Sequence, residues 1–370
     1  MASRRGSSRP AALPLAGQVA VVAGATRGGG RGIACMLGAA GATVYCTGRS
    51  IRGRPAVKGR PETTDETAEM VTAHGGTGIA VQVDHTVPDQ VQRLIDRVSS
   101  DHKRLDVLVN NVNGDDLVKW TSFWKQSLDD GLRTLERGIN SHVITTRLAL
   151  PLMLKRKAGL IVGVTDRGGG TFFYGFEKSA VMRMAELLAP ELLPHGIGIV
   201  ALTPGYLRSE AMLENRGVTE ANWQDAVKED PFFAQSETPF YVGRAVAALA
   251  ADRRALLDSG RLLSSFELAE RYGFTDVDGR RPNAARLIAS ALEEKWRGLV
   301  EQVHAEFKRH GLDLDPLVQQ HQPTFMLRAR VTREDEPERW FDQQILPLEL
   351  LHSNQKRLAT EFYERYASFL

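Results

Sequence analysis

The stretch Val19-Ala-Val-Val-Ala23, Gly24-Ala-Thr26-Arg27-Gly28-Gly-Gly30, Arg31-Gly-Ile-Ala-Cys-Met-Leu37 reads as strand, turn and helix in direct succession. Val19 to Ala23 is a short run rich in β-branched residues, which suits a strand buried on both faces. Gly24 permits a tight turn, and Gly28 and Gly30 let the backbone come close to a bound group. From Arg31 onward the spacing is helical, so the new helix points its unpaired N–H groups and its positive end back at the turn. Such a turn suits a pyrophosphate, with Gly24, Thr26, Arg27, Gly28 and Gly30 as the candidate contacts. A flexible loop would not be flanked in this order by a strand and a helix.

Outward from this unit, Ala42-Thr-Val-Tyr-Cys46 predicts a second strand, ending in Thr47-Gly48-Arg49-Ser50. An acid at this point suits a ribose 2′-hydroxyl, whereas a basic residue suits a 2′-phosphate. Arg49, with Arg27 in the turn and Ser50 beside it, therefore argues for NADP(H). Further strands are expected at 79–83, 105–109, 159–164, 197–202 and 261–265, alternating with helical patterns. That alternation predicts an α/β fold, a doubly wound parallel sheet of the Rossmann type with helices on both faces. Much later comes Tyr174-Gly-Phe-Glu-Lys178. In a helix over 174–189, a spacing of four stacks the phenol and the ammonium on one face. A phenol titrates near pH 10, and a cation one turn away lowers that value toward the working range of a general acid or base. Together with the glycine turn, the pair points to hydride transfer from a nicotinamide.

Taken in order, these motifs resemble the short-chain dehydrogenase/reductase family over residues 15–280. Asp84, followed by His85, comes after Ala80-Val-Gln-Val, where the family holds the adenine. Leu108-Val-Asn110-Asn111-Val112-Asn113 is similar to the family's Asn-Asn-Ala-Gly segment, with two substitutions. Pro204-Gly205-Tyr-Leu207-Arg-Ser209 resembles the Pro-Gly turn beside the nicotinamide. The resemblance implies Tyr174 and Lys178 as the catalytic pair. It also implies Asp84, His85, Asn111, Val112, Lys178, Pro204, Gly205 and Leu207 as cofactor contacts beside those of the glycine turn. Leu268-Ala-Glu-Arg-Tyr-Gly-Phe-Thr-Asp-Val-Asp-Gly279 looks like the end of the sheet in a subgroup with bacterial and animal members.

Two departures from the family pattern bear on catalysis. Where the family ends its fifth strand in a double Ser, this chain has Thr165-Asp166, and the Arg167-Gly-Gly-Gly-Thr171 loop that follows is shorter than usual. An ionised carboxylate cannot donate to a substrate carbonyl, so either a protonated Asp166 or Thr165 is expected to take that role. The other departure lies in the preceding helix, where an ungapped count back from Leu150-Pro151-Leu152-Met153 lands on Gly138 instead of the family's structural Asn. Asn140 lies two residues beyond and faces another direction. It is left out of the candidate site, and the proton relay through the lysine is expected to be missing.

The 370 residues, 42% of them hydrophobic, are enough for one large α/β core plus an appendage. A net charge of +2 with interspersed signs predicts neither a nucleic-acid nor a membrane surface. No apolar run reaches the roughly 18 residues that span a bilayer. Cys35 and Cys46 read as small core residues and no metal site is expected. Residues 1–14 read as a disordered basic tail without a signal core, which with the composition predicts a soluble, cytoplasmic protein.

Between Arg49 and the next helix, an insertion carries Arg52, Arg54, Lys58 and Arg60. It is either a cover for a 2′-phosphate or a mobile basic loop. Residues 206–241 occupy the family's variable lid, and their Met212, Trp223, Phe232, Phe233 and Phe240 suit either a bulky apolar ketone or simple closure of the lid. Residues 281–370 are expected to form a mainly helical extension, with one amphipathic helix over Ala284 to Arg309 and another near 348–369. A short strand is expected between them at Phe325 to Val331. The function expected is NADP(H)-dependent reduction of a small-molecule ketone, or oxidation of the alcohol, by a homodimer or homotetramer. Enoyl or quinone reduction, and a cofactor-binding scaffold without turnover, are the alternatives.

Overall fold

A computed structural model describes residues 12–57, 59–166, 170–310 and 354–366. It also describes the backbone of strands at 314–321, 324–333 and 336–345. The first eleven residues of the expected tail, Lys58, Arg167, Gly168, Gly169, Leu351, Phe369 and the side chains of Ile288 and Tyr366 lie outside the described residues. The chain divides into two units, Met1–Asn283 and Ala284–Leu370.

The first unit is built on a seven-stranded sheet. Its strands are β1 (Val19–Ala23), β2 (Thr43–Gly48), β3 (Thr77–Gln82), β4 (Val107–Asn110), β5 (Gly159–Val164), β6 (Ile197–Thr203) and β9 (Leu262–Ser264). Two short strands, β7 (Tyr206–Leu207) and β8 (Ser236–Glu237), pair with each other outside it. The main sheet runs β3-β2-β1-β4-β5-β6-β9 and every pair in it is parallel. Each strand of the main sheet lies within two or three residues of its expected place, whereas β7 and β8 were not expected.

Helices cover both faces, and β1 shows how one strand serves two layers. Ala20 and Val22 pack with Ile33, Leu37, Val242 and Val246 on one side, while Val19 and Val21 pack with Leu94, Ile95, Met153 and Ala185 on the other. This two-residue alternation with both faces apolar is the mark of a central parallel strand. The helices of this unit are α1 (Gly28–Ala39), α2 (Thr64–Ala73), α3 (Pro88–His102), α4 (Leu128–Leu135), α5 (Ser141–Arg156), α6 (Phe172–Leu192), α7 (Glu210–Asn215), α8 (Pro239–Ala251) and α9 (Ser265–Tyr272), and all but α4 and α7 contribute to these two layers. Helices α1 and α8 touch backbone to backbone, since a Cβ on Gly32 would lie 1.9 Å from the Pro239 carbonyl oxygen. Between α4 and α5 the chain makes a π-helical turn, Glu136–Asn140, that buries Gly138 and leaves Asn140 exposed.

In the second unit the two expected helices are present, α10 (Ala284–Arg309) and a final helix, Gln355–Tyr366. They bury Leu299, Val303, Phe307, Leu358 and Phe362, and the Phe307 and Phe362 rings lie 6.0 Å apart. Between them run three antiparallel strands, Leu314–His321, Thr324–Arg333 and Glu336–Ile345, where a single short strand was expected. Among the described residues no helix is long and apolar enough to cross a membrane.

Candidate active site

The sheet order reverses at β1, so the loops leaving β1 and β4 diverge and open a crevice at the carboxyl ends of the strands. Gly24 sits there with φ +83°, and a Cβ on it would press on the Asn111 carbonyl carbon and the Val112 nitrogen at 3.0 Å. Asn111 binds this turn twice: its N–H donates to the Ala23 carbonyl at 2.9 Å, and its Nδ2 donates to the Gly24 carbonyl at 3.1 Å. Gly30 leaves no room at all, because a Cβ would lie 2.1 Å from the Gly24 oxygen.

At the start of α1 the Gly28 N–H donates to the Glu210 carboxylate at 2.8 Å, with Arg31 Nη1 3.7 Å from the same side chain. An anion therefore already rests on the helix N-terminus, which is the chemistry a phosphate group needs. Arg27 and Arg49 are half-buried at the rim, and neither makes an ion pair with another described residue. Thr26 packs against Gly48, and its carbonyl accepts from Arg31 at 2.9 Å. Ser50 is buried, with its Oγ accepting from the Ala56 N–H at 3.0 Å.

Burial disfavours the charge on Asp84, but the Thr86 hydroxyl and N–H, with Arg49 nearby, hold its carboxyl below the usual range. His85 turns into the core between Thr47 (2.8 Å) and Thr145 (2.9 Å), where burial lowers its pKa to about 4. In the insertion, Arg52 pairs with Glu69 at 2.9 Å and Arg60 with Glu214 of α7 at 2.6 Å, while Arg54 is exposed.

Helix α6 begins two residues before Tyr174 and brings Tyr174 and Lys178 to one face, as the spacing predicts. The Tyr174 hydroxyl donates to Asp166 Oδ2 at 2.6 Å, directly past the end of β5. Thr165 is turned the other way, its buried hydroxyl donating to the Lys178 carbonyl at 2.7 Å, so it ties β5 to α6. Lys178 is 5% exposed, with Nζ 2.9 Å from Asp115 Oδ1, 3.3 Å from Glu177 Oε1 and 5.1 Å from the Tyr174 ring centre. Burial works against this ammonium, but Asp115 and Glu177 outweigh it and raise its pKa above the ordinary value.

The electrostatics of the phenol differ from the sequence expectation. Burial first, then Asp166 and Asp115, push the Tyr174 pKa upward. The lysine expected from the spacing to lower it is itself paired with two carboxylates, Asp115 and Glu177. In this arrangement Tyr174 is a neutral proton donor.

The floor is formed by the ends of β4 and β6. His142 of α5 donates from Nε2 to the Val112 carbonyl at 3.0 Å, and burial lowers its pKa to about 3. Pro204, Gly205 and Leu207 are half-buried at the end of β6, and Leu207 lies against Gly29. The Gly205 N–H donates to Glu237 Oε2 at 2.9 Å, as does the Ser265 hydroxyl at 2.6 Å. Burial raises the Glu237 carboxyl to about 8 despite those two donors. A folded-state value above the unfolded one adds stability in full below about pH 4.5, and that stability is lost as pH rises through about 8. Thermal melts between about pH 5 and pH 9 should therefore show a fall in Tm on the alkaline side that is smaller in Glu237→Gln. Parallel curves for the two proteins would contradict this.

Sequence reasoning did not single out Asp115, Glu177, Glu210 or His142. For Glu177 a signal was present, since it directly precedes Lys178 and a charge there must lie on the lysine's own helix. The other three reach the site only through the fold.

Over residues 18–220 the chain matches the family model described as short chain dehydrogenase. It is 38% identical over 280 residues to dehydrogenase/reductase SDR family member 1 of Mus musculus, covering 72% of this chain and 85% of that protein. It is 31% identical over 207 residues to the 3-oxoacyl-(acyl-carrier-protein) reductase of Synechocystis sp., covering 54% of this chain and 78% of that protein. A solved structure described as an NAD(P)-dependent gluconate 5-dehydrogenase from Beutenbergia cavernae, with NADP bound at low occupancy, aligns with a TM-score of 0.56. Its identity is 26%, across 69% of this chain and 97% of that one.

Proposed function

The chain belongs to the short-chain dehydrogenase family, and from that premise we propose that it is an NADP(H)-dependent reductase of a bulky ketone. As an oxidoreductase of this family it acts on a small molecule with an NAD(P) cofactor. The finer reading rests above all on the neutral Tyr174 phenol, held at 2.6 Å by Asp166 and stacked one turn before Lys178.

The residues fit such a cofactor on two counts: the glycine turn has space where a Cβ would clash, and the α1 N-terminus already holds a carboxylate. When bound, the cofactor supplies a hydride to the carbonyl carbon. Tyr174 hands its proton to the carbonyl oxygen, breaking the phenol O–H bond as the alcohol O–H forms. Lys178 faces the phenolate that remains. Because Tyr174 donates to Asp166 at rest, a substrate oxygen must take over that hydrogen bond. Asp166, and not Thr165, is the residue beside the reacting atoms in this reading.

Two of the lid aromatics are engaged within the protein. Trp223 lies between Arg208 (4.2 Å) and Arg280 (4.6 Å), and Phe233 is buried against Tyr206 and Trp223. Preference for a bulky or aromatic ketone rests instead on Trp120, 67% exposed and with its ring 5.3 Å from that of Tyr174. The test is NADPH oxidation across a panel of aromatic and aliphatic ketones and quinones, beside a binding titration. Tight NADPH binding without turnover on the whole panel would favour a scaffold, the reading to which the Tyr174–Asp166 bond also lends itself.

Arg49 carries the preference for the 2′-phosphate. Arg49→Glu should cut NADPH over NADH selectivity by about 10- to 100-fold, the usual worth of a charge-assisted phosphate contact. Unchanged selectivity in that variant would remove the NADP assignment.

A further inference from the structure

Glu177 is 1% exposed, and a carboxylate buried so deeply is costly unless it is paired. Its surroundings are specific. A Cβ placed on Gly138 would lie 2.1 Å from both Cδ and Oε1 of Glu177 and 2.3 Å from its Cγ. The carboxylate thus fills the notch that the missing side chain leaves in the π-helical turn, and any side chain at 138 would have to displace it. Among the described residues it reaches one charged group, the Lys178 ammonium at 3.3 Å, which Asp115 approaches from a far more exposed position at 2.9 Å.

We propose that Glu177 is a positioning residue for Lys178: seated in the Gly138 notch, it holds the ammonium from the interior side, and its own ionisation sets the pH range in which Tyr174 and Lys178 work together. The kinetic part of this inference rests on the reductase reading above.

The groups that face the carboxylate can be named. Lys178 of α6 attracts it, Asp115 beyond β4 repels it, and the Tyr174 phenol on its own helix feels its charge. In the turn itself Arg137 is engaged with Asp116 at 3.1 Å, and Glu136 is exposed. His142 of α5, which lies near Lys178, is held neutral by burial. Burial, against the pull of Lys178, brings the Glu177 carboxyl to about 7. Below that pH Lys178 keeps only the solvent-facing Asp115; above it the ammonium is held on both sides.

Glu177→Gln keeps the size and removes the charge. NADPH affinity and KM should stay within about threefold, while kcat falls about 10- to 100-fold and its dependence on pH around neutrality disappears. A kcat and pH profile matching the wild type would overturn the proposal. A second measurement needs neither turnover nor a folded Glu177 variant. In Glu237→Gln, which lacks the other carboxyl among the described residues that burial raises toward neutral pH, infrared difference spectra of the ligand-free protein should show a protonated-carboxyl band that titrates near neutral pH. No such band would overturn the proposal. A wild type inactive on every substrate yet showing the band would instead count against the reductase reading alone.

Discussion

Tyr174→Phe is expected to lower kcat for carbonyl reduction by about 100- to 10,000-fold, the span that a positioned general acid contributes. NADPH binding should stay within about threefold of the wild type, because the change deletes one oxygen and leaves the ring in place. The ring keeps its contacts with Trp120 and Lys178. The lost group donates to a single side chain, Asp166 at 2.6 Å, in a half-buried position that water can reach. Stability should therefore change little, which separates a chemical effect from an unfolded protein. Steady-state kinetics beside a fluorescence titration with NADPH decide the matter. A variant that turns over like the wild type would mean that another group supplies the proton, with Asp166 the next to test.

Gly30→Ala should be nearly as damaging, for a different reason. The added methyl would lie 2.1 Å from the Gly24 oxygen and 2.8 Å from Asn111 Nδ2, so it must push apart the turn and the side chain that braces it. Backbone cannot yield cheaply there, since Gly24 and Ala25 both donate to the Thr47 carbonyl at 2.9 Å. We expect NADPH affinity to fall more than about 100-fold and Tm to drop by several degrees, in line with overpacking costs of about 1–3 kcal/mol or more. Gly29→Ala is the control, one residue away on the same helix. Its methyl would meet Asn111 Oδ1 at 3.4 Å and Leu207 at 3.6 Å, ordinary contacts, and alanine favours the helix. Calorimetry and the same titration on both variants should separate them; equal behaviour would show that the glycine turn tolerates bulk.

The sheet was legible because its signal is local and repeated. Each strand is a short apolar run, and a parallel strand buried on both faces shows that run without interruption, as β1, β4 and β6 do. The Tyr174–Lys178 pair was legible because helical spacing alone brings its members together. What the spacing could not reveal is the charge around them. Asp115 approaches Lys178 from the loop after β4, and Glu177 fits only because residue 138 has no side chain, a relation between two distant positions. Of the three C-terminal strands only the middle one, Thr324–Arg333, was expected, as the shorter Phe325 to Val331, and the outer two were hidden for another reason. Residues 336–345 begin Glu-Pro-Glu-Arg and offer little apolar alternation, and no glycine stands beside them in the sequence.

Glu210 makes the proposed phosphate site one that the protein occupies by itself. Ligand arrival there is an exchange of one anion for another, so the affinity measured in solution reports the difference between two competitors. The displaced carboxylate opens α7, and that same helix carries Glu214, the partner of Arg60 in the basic insertion. One short helix of six residues thus spans from the glycine turn, through Glu210, to the surface loop, through Glu214.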